Sequence, residues 1–119
     1  MFSTRRIAIL EGDRSAAEIL HTFFHLMELE AFLVTPDETA VPTLRRLAPD
    51  VIALDLDLPD LRALDLSRAI RVALPRVPII LMTEHASQMD VGSATVIAKP
   101  HARFEELLRM FELILALER

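Results

Sequence analysis

Short apolar runs alternate along the chain with segments of helical periodicity, and this alternation limits the possible folds more than any other feature. The apolar runs fall at 7–10, 31–34, 51–54, 77–82 and 95–98, and the helical segments at 15–29, 40–47, 62–74, 102–118 and, more weakly, 85–91. Strands that are apolar throughout are typical of a parallel sheet covered by helices on both faces. Because 119 residues suit one compact domain, we predict a single α/β domain over residues 1–119.

The composition excludes several classes of protein. The chain has no cysteine, so disulfides and thiolate metal sites are ruled out. Its net charge of −5 and its lack of Trp and Tyr argue against binding to nucleic acid. No apolar run reaches the roughly 18–20 residues that cross a bilayer. The apolar run near the start is too short for a secretion signal. We therefore expect a cytoplasmic protein without a membrane segment.

Polar residues follow four of the predicted strands at the point where each strand ends. They are the Glu-Gly-Asp segment at 11–13, Asp55, Thr83 and Lys99. Because the carboxyl ends of parallel strands meet at one edge of a sheet, we expect these side chains to surround one crevice. A carboxylate nucleophile beside a hydroxyl, an ammonium group and further acids suits acceptance of a phosphoryl group. Oxygen-bound Mg²⁺ is the usual cation that neutralises such an approach of two anions.

Three motifs stand out along the chain: PDVIALDLDLP at 49–59, IILMT at 79–83 and AKP at 98–100. Together they make the chain similar to the response-regulator receiver domain, the phosphoacceptor module of two-component signalling. The resemblance implies a flavodoxin-like, doubly wound (βα)5 sheet with strand order 2-1-3-4-5. It also implies that Asp55 is the phosphoacceptor, Thr83 the switch hydroxyl and Lys99 the lysine that contacts the phosphoryl group. The expected phosphoryl donor is a histidine kinase or a phosphotransfer protein.

The same resemblance implies a Mg²⁺ site with one ligand missing. Glu11, the Asp55 carboxylate and the main-chain carbonyl of Asp57 correspond to the family's metal-binding positions. The second acid of the family's acidic pair falls on Gly12, so we expect Mg²⁺ to bind weakly. Asp13 is a further candidate ligand, but it lies one residue out of register and is better suited to starting a helix.

Other departures affect the part of the family that transmits the signal. The family's switch aromatic falls on Val96, and the aromatic that often follows Lys-Pro falls on His101. The interval from Thr83 to Lys99 is about one and a half helical turns shorter than is usual, which predicts a shortened or missing fourth helix. Two functions stay open: a receiver that is phosphorylated, and a receiver-like module that binds proteins without phosphorylation.

The last predicted helix carries more apolar residues than one buried face requires. Its expected core stripe is Leu107, Leu108, Phe111 and Leu115, with Phe104, Met110, Leu113 and Leu117 outside it. Such a wide apolar surface usually means a second contact. We therefore predict a homodimer, or a partner protein, bound through residues 104–117, and no output domain after this helix.

An enzyme is the competing class. Asp55-Leu56-Asp57 after an apolar strand also resembles the first motif of haloacid-dehalogenase-type phosphatases. That family needs another acidic motif beyond Lys99, where 20 residues remain and are predicted to form one helix, so we expect no enzyme. His21 and His25 have the i, i+4 spacing of a zinc pair, but they lie beside the core stripe of their helix and no third ligand is apparent.

Overall fold

The computed structural model describes residues 5–58, 62–84, 95–98 and 104–117. Strands and helices alternate through the first four strands, as the apolar pattern predicts. The strands are β1 (Arg6–Leu10), β2 (Glu30–Leu33), β3 (Val51–Asp55), β4 (Ile79–Thr83) and β5 (Thr95–Ala98). The helices are α1 (Arg14–Leu26), α2 (Ala40–Leu47), α3 (Arg62–Ala73) and α4 (Phe104–Leu117). The shortened or missing helix predicted near 85–91 lies outside the described residues.

The five strands form one parallel sheet in the order β2-β1-β3-β4-β5. Ile7 of β1 is aligned with Ala31 of β2 on one side and with Val51 of β3 on the other. This order confirms the predicted flavodoxin-like, doubly wound sheet. It also places the carboxyl ends of β1, β3 and β4 next to one another, which is the edge where such sheets bind ligands.

Each central strand is buried on both faces, which explains why its sequence is apolar throughout. Along β3, Val51 and Ala53 belong to a core cluster with residues of α1 and α4, whereas Ile52 and Leu54 belong to a second cluster with residues of α2 and α3. Successive strand residues point to opposite faces of a sheet. The helices therefore cover both faces, and Asp55 is the first polar residue at the end of this apolar strand.

Local hydrogen bonds define the start of α1 and the end of α2. The Asp13 carboxylate accepts hydrogen bonds from the main-chain N–H groups of Ser15 and Ala16, which caps the amino terminus of α1. Helix α2 ends where Ala48 adopts a left-handed conformation with φ of 50°. The next residue is Pro49, which cannot continue the helical hydrogen bonding.

Helix α4 buries a different stripe from the one its sequence predicts. The buried residues are Leu107, Met110 and Ile114, at i, i+3 and i+7. Leu108, Phe111 and Leu115 are half-buried, and Phe111 packs against the core cluster, so the predicted core stripe differs from the observed one at Leu108 and Leu115. The error arises because apolar residues surround most of the helix, and the packed face is then set by the sheet beneath it. None of the described helices is long and apolar enough to span a membrane.

Candidate functional site

Asp55 is a buried carboxylate at the carboxyl end of β3, with 2% of its surface exposed. Its Oδ2 accepts a hydrogen bond from the main-chain N–H of Gly12 at 3.1 Å, and its Oδ1 accepts one from the N–H of Asp57 at 2.8 Å. A buried carboxylate is costly unless hydrogen bonds replace its water. Donors from the ends of two neighbouring strands therefore hold this carboxylate in one orientation.

Gly12 allows its N–H to approach Asp55 because it has no side chain. A Cβ atom at this position would lie 2.9 Å from Cδ2 of Leu58 and 3.4 Å from Oδ2 of Asp55. Leu58 is 7% exposed and packs into the core between the sheet and α2 and α3. The space next to Gly12, where an acid would begin, is therefore already bordered by a leucine methyl group.

The other acids of the first loop are held by local main-chain bonds. Glu11 is 9% exposed, and its Oε2 accepts a hydrogen bond from the N–H of Asp13 at 3.2 Å. The Asp13 side chain caps α1, as its helix-start character predicts. Among the described residues, no group of three or more His, Cys, Asp or Glu side chains is arranged to hold a metal ion.

Thr83 lies at the end of β4 and is joined to the β3 side of the site through Asp57. The Thr83 hydroxyl, which is 1% exposed, donates a hydrogen bond to Oδ1 of Asp57 at 2.6 Å. The main-chain N–H of Glu84 donates to the other carboxylate oxygen at 2.9 Å. The family resemblance gives a role only to the main-chain carbonyl of Asp57. The sequence does not single out the Asp57 side chain, because an acid two residues past a strand end is common in loops.

A crevice of about 540 Å³ opens beside Gly12 on the side of β2. Its lining includes Arg14 of α1, Leu58 and Arg62 of α3. Arg62 is exposed at the first residue of its helix, as expected for a solvated helix-start arginine. Glu11 also lines the crevice, so the lining carries both positive and negative groups.

Asp37 also lines this crevice, and its negative charge partly offsets the positive charges of Arg14 and Arg62. Its Oδ1 accepts hydrogen bonds from the hydroxyl of Thr39 at 2.6 Å and from the N–H of the same residue at 2.8 Å. These bonds, the hydroxyl first, lower the pKa of Asp37 below its ordinary value, and Arg62 adds to the effect while burial opposes it. Asp37 therefore stays negatively charged at neutral pH.

The predicted site residue Lys99 falls outside the described residues, so its placement relative to Asp55 stays a prediction. His21 and His25 are described, and their rings stack with centroids 6.4 Å apart. Among the described residues, no group of three or more potential metal-binding side chains includes them.

Solved structures of response regulators share this fold. A response regulator receiver domain protein (CheY-like) from Methanospirillum hungatei superposes with a TM-score of 0.78 at 20% identity, covering 98% of each chain. A response regulator from Thermotoga maritima gives a TM-score of 0.77 at 19% identity, covering 96% of this chain and 99% of that one. The family model for the response regulator receiver domain matches residues 7–112. The chain belongs to this family.

Curated relatives agree with this assignment. The regulatory protein LuxO of Vibrio vulnificus is 32% identical over 98 residues, covering 77% of this chain and 22% of LuxO. The transcriptional regulatory protein CreB of Escherichia coli is 27% identical over 115 residues, covering 89% of this chain and 49% of CreB. The chain thus spans about a fifth to a half of these relatives. Membership of the receiver family favours the signalling interpretation over the phosphatase alternative.

Proposed function

We propose that this chain is a two-component receiver that accepts a phosphoryl group on Asp55 from a histidine kinase or phosphotransfer protein. The observation that carries the proposal is the buried Asp55 carboxylate, held by the N–H groups of Gly12 and Asp57 at the carboxyl edge of the sheet. Side chains at this edge are reached from solvent through the loops that follow the strands. A fixed carboxylate there is suited to in-line attack on phosphorus.

The proposed step is a phosphoryl transfer between two nucleophiles. An Asp55 carboxylate oxygen forms a bond to phosphorus while the bond from phosphorus to the donor's imidazole nitrogen breaks. The electron pair of that bond stays on the imidazole, and Asp55 becomes an acyl phosphate. The N–H groups that fix the carboxylate before transfer require no reorganisation during it. We propose that the Thr83 hydroxyl and the Lys99 ammonium group then bind the phosphoryl oxygens.

We propose a weak Mg²⁺ site at the same place. The residues that would hold the ion are Glu11, Asp55 and the main-chain carbonyl of Asp57. When bound, Mg²⁺ neutralises charge as the phosphoryl anion meets the carboxylate. Asp13 is not favoured as a ligand because its carboxylate caps α1. Gly12 supplies an N–H in place of the missing acid, which compensates part of the charge of Asp55 in the absence of metal.

A second candidate function is a receiver-like module that binds partners without phosphorylation. It is favoured by the same Gly12 contact, because the missing acid weakens metal binding and the N–H satisfies Asp55 without it. In this case Asp55 would be a structural carboxylate that ties β3 to β1. The two functions differ in whether any chemistry at Asp55 changes what the protein binds.

We also propose how the domain is used. Residues 1–119 act as one cytoplasmic receiver domain that signals through protein contacts and has no catalytic activity on other substrates. Leu108 and Leu115, two half-buried apolar residues of α4, belong to a surface within 104–117 that binds a second copy of the chain or a partner protein. Sedimentation at high micromolar concentration tests the homodimer, and a purely monomeric protein would contradict it.

Phosphorylation is tested by the intact mass of the protein after incubation with acetyl phosphate and Mg²⁺. The wild type should gain one phosphoryl mass, and the Asp55→Asn variant should gain none. An unmodified wild type would support the phosphorylation-independent module. A gain in both proteins would mean that another residue is the acceptor.

A further inference from the structure

We infer that the Asp57 carboxylate is a positioning residue that holds the Thr83 hydroxyl before phosphorylation and sets how readily it becomes available to a phosphoryl group. This inference rests in part on the proposed function, because it concerns a phosphoryl group on Asp55. It gives the Asp57 side chain a role that is separate from that of its carbonyl.

Three hydrogen bonds join the ends of β3 and β4 through this one residue. The N–H of Asp57 donates to Asp55 at 2.8 Å, the hydroxyl of Thr83 donates to Asp57 at 2.6 Å, and the N–H of Glu84 donates to Asp57 at 2.9 Å. Asp57 is therefore the common partner of Asp55, Thr83 and Glu84.

The geometry requires a carboxylate rather than any polar side chain. Thr83 and Glu84 each donate to a different oxygen of Asp57. An amide side chain offers one acceptor oxygen, so it can satisfy one of these donors and not both. A hydroxyl has a single proton, so a Thr83 hydroxyl that donates to Asp57 must leave it before donating to a phosphoryl oxygen. The bond at 2.6 Å has the length of a charge-assisted bond.

The consequence is a shift between two positions of one hydroxyl. Thr83 must break its bond to Asp57 before its hydroxyl can bind a phosphoryl oxygen. The free energy needed to break that bond reduces the stabilisation that Thr83 gives to the phosphoryl group. Asp57 is exposed, so we expect the net free energy of its hydrogen bond to Thr83 to lie at the low end of the range for hydrogen bonds to charged groups. Replacing Asp57 by Ala, which removes both acceptor oxygens, should therefore lower the acetyl phosphate concentration for half-maximal phosphorylation by about tenfold.

The Asp57 charge offers a competing explanation, since removing it also reduces repulsion of a phosphoryl anion. A double-mutant cycle with Thr83→Val separates the two. If Asp57 acts through the hydroxyl, Asp57→Ala should shift half-maximal phosphorylation about tenfold in the wild type and by less than about 1.5-fold in the Thr83→Val background. An equal shift in both backgrounds would mean that charge alone is responsible, and would overturn the inference.

Hydrogen exchange of the Glu84 amide tests the same contact without phosphorylation. The amide should be protected in the wild type and should exchange about tenfold faster in Asp57→Ala, which removes its acceptor. Asp50→Asn is the matched control, because Asp50 also accepts a main-chain N–H, from Arg6 at 2.7 Å, at the opposite edge of the sheet. This control should leave Glu84 unchanged.

These measurements distinguish failure of the inference from failure of the proposed function. Equal exchange of Glu84 in the wild type and Asp57→Ala would overturn the positioning role while leaving phosphorylation of Asp55 intact. Normal protection of Glu84 in a protein that acetyl phosphate never modifies would overturn the proposed function, and with it the switching role of Asp57. A shift that depends on Thr83, together with faster exchange, would support the inference.

Discussion

Replacing Gly12 by Asp restores an acid at the family's second metal position, and the structure predicts its cost. The backbone of Gly12 lies outside the left-handed region, so a side chain is opposed by space and charge rather than by conformation. The first contact is with the Leu58 methyl group at 2.9 Å. That methyl ends a flexible side chain, so we expect the steric part to cost about 1 kcal/mol, at the low end for overpacking.

The charge adds a second cost. The new carboxylate would lie near the buried carboxylate of Asp55, whose Oδ2 is 3.4 Å from the site of the new Cβ. Two like charges about 5 Å apart repel by about 3 kcal/mol at an effective dielectric constant of about 20. We therefore expect Gly12→Asp to lose about 4 kcal/mol without metal. The matched control Gly12→Ala should lose only the steric part.

Added Mg²⁺ should reverse much of the loss in Gly12→Asp. Metal at about 100 times its dissociation constant stabilises a protein by about 2.7 kcal/mol. The assay is urea denaturation with and without MgCl₂, followed by far-UV circular dichroism, because the chain has no Trp to report by fluorescence. Mg²⁺ that stabilises the wild type and Gly12→Asp equally would refute the reasoning, since it would show that the missing acid does not limit metal binding.

Three further predictions test the helix ends, the crevice rim and the face of α4. Ala48→Gly should stabilise the protein by about 1 kcal/mol, because this exposed residue has φ of 50°; urea denaturation measures the gain. Asp37→Asn should be less stable than the wild type at pH 7, because the lowered pKa of Asp37 favours its ionised form in the folded state. Its deficit should shrink as the pH falls below about 4, where the wild type loses that contribution, and thermal melts across pH would detect this. Ile114→Ala should cost about 2–5 kcal/mol and the half-buried Leu115→Ala about 1 kcal/mol; equal costs would contradict the observed face.

The sequence predicts the strands well because each is apolar throughout and bounded by polar residues. The element ends are less predictable. Strand β4 begins at Ile79 rather than at residue 77, because Val77 donates its N–H to Leu74 in a turn and Pro78 has no N–H to give to a neighbouring strand. Helix α1 ends at Leu26 because Glu28 adopts φ of 65°, which no helical period in the sequence reveals.

In the candidate site, the positions of side chains at strand ends could be predicted from the sequence, but the hydrogen bonds of main-chain groups could not. Asp55 and Thr83 could be placed at one edge from strand ends alone, and the structure brings them together through Asp57. The N–H of Gly12 as a donor to Asp55 could not be predicted, because sequence patterns do not show where main-chain groups point. The Asp57 side chain was missed because family resemblance directs attention to its carbonyl.

The most direct test of the account is to locate the phosphoryl group by chemistry. Protein treated with acetyl phosphate and then with borohydride should be reduced at the acyl phosphate, and tandem mass spectrometry of its peptides reads the modified position. The account predicts reduction at Asp55 in the wild type and none in Asp55→Asn. Modification at another residue, or none after prolonged treatment of the folded protein, would contradict it.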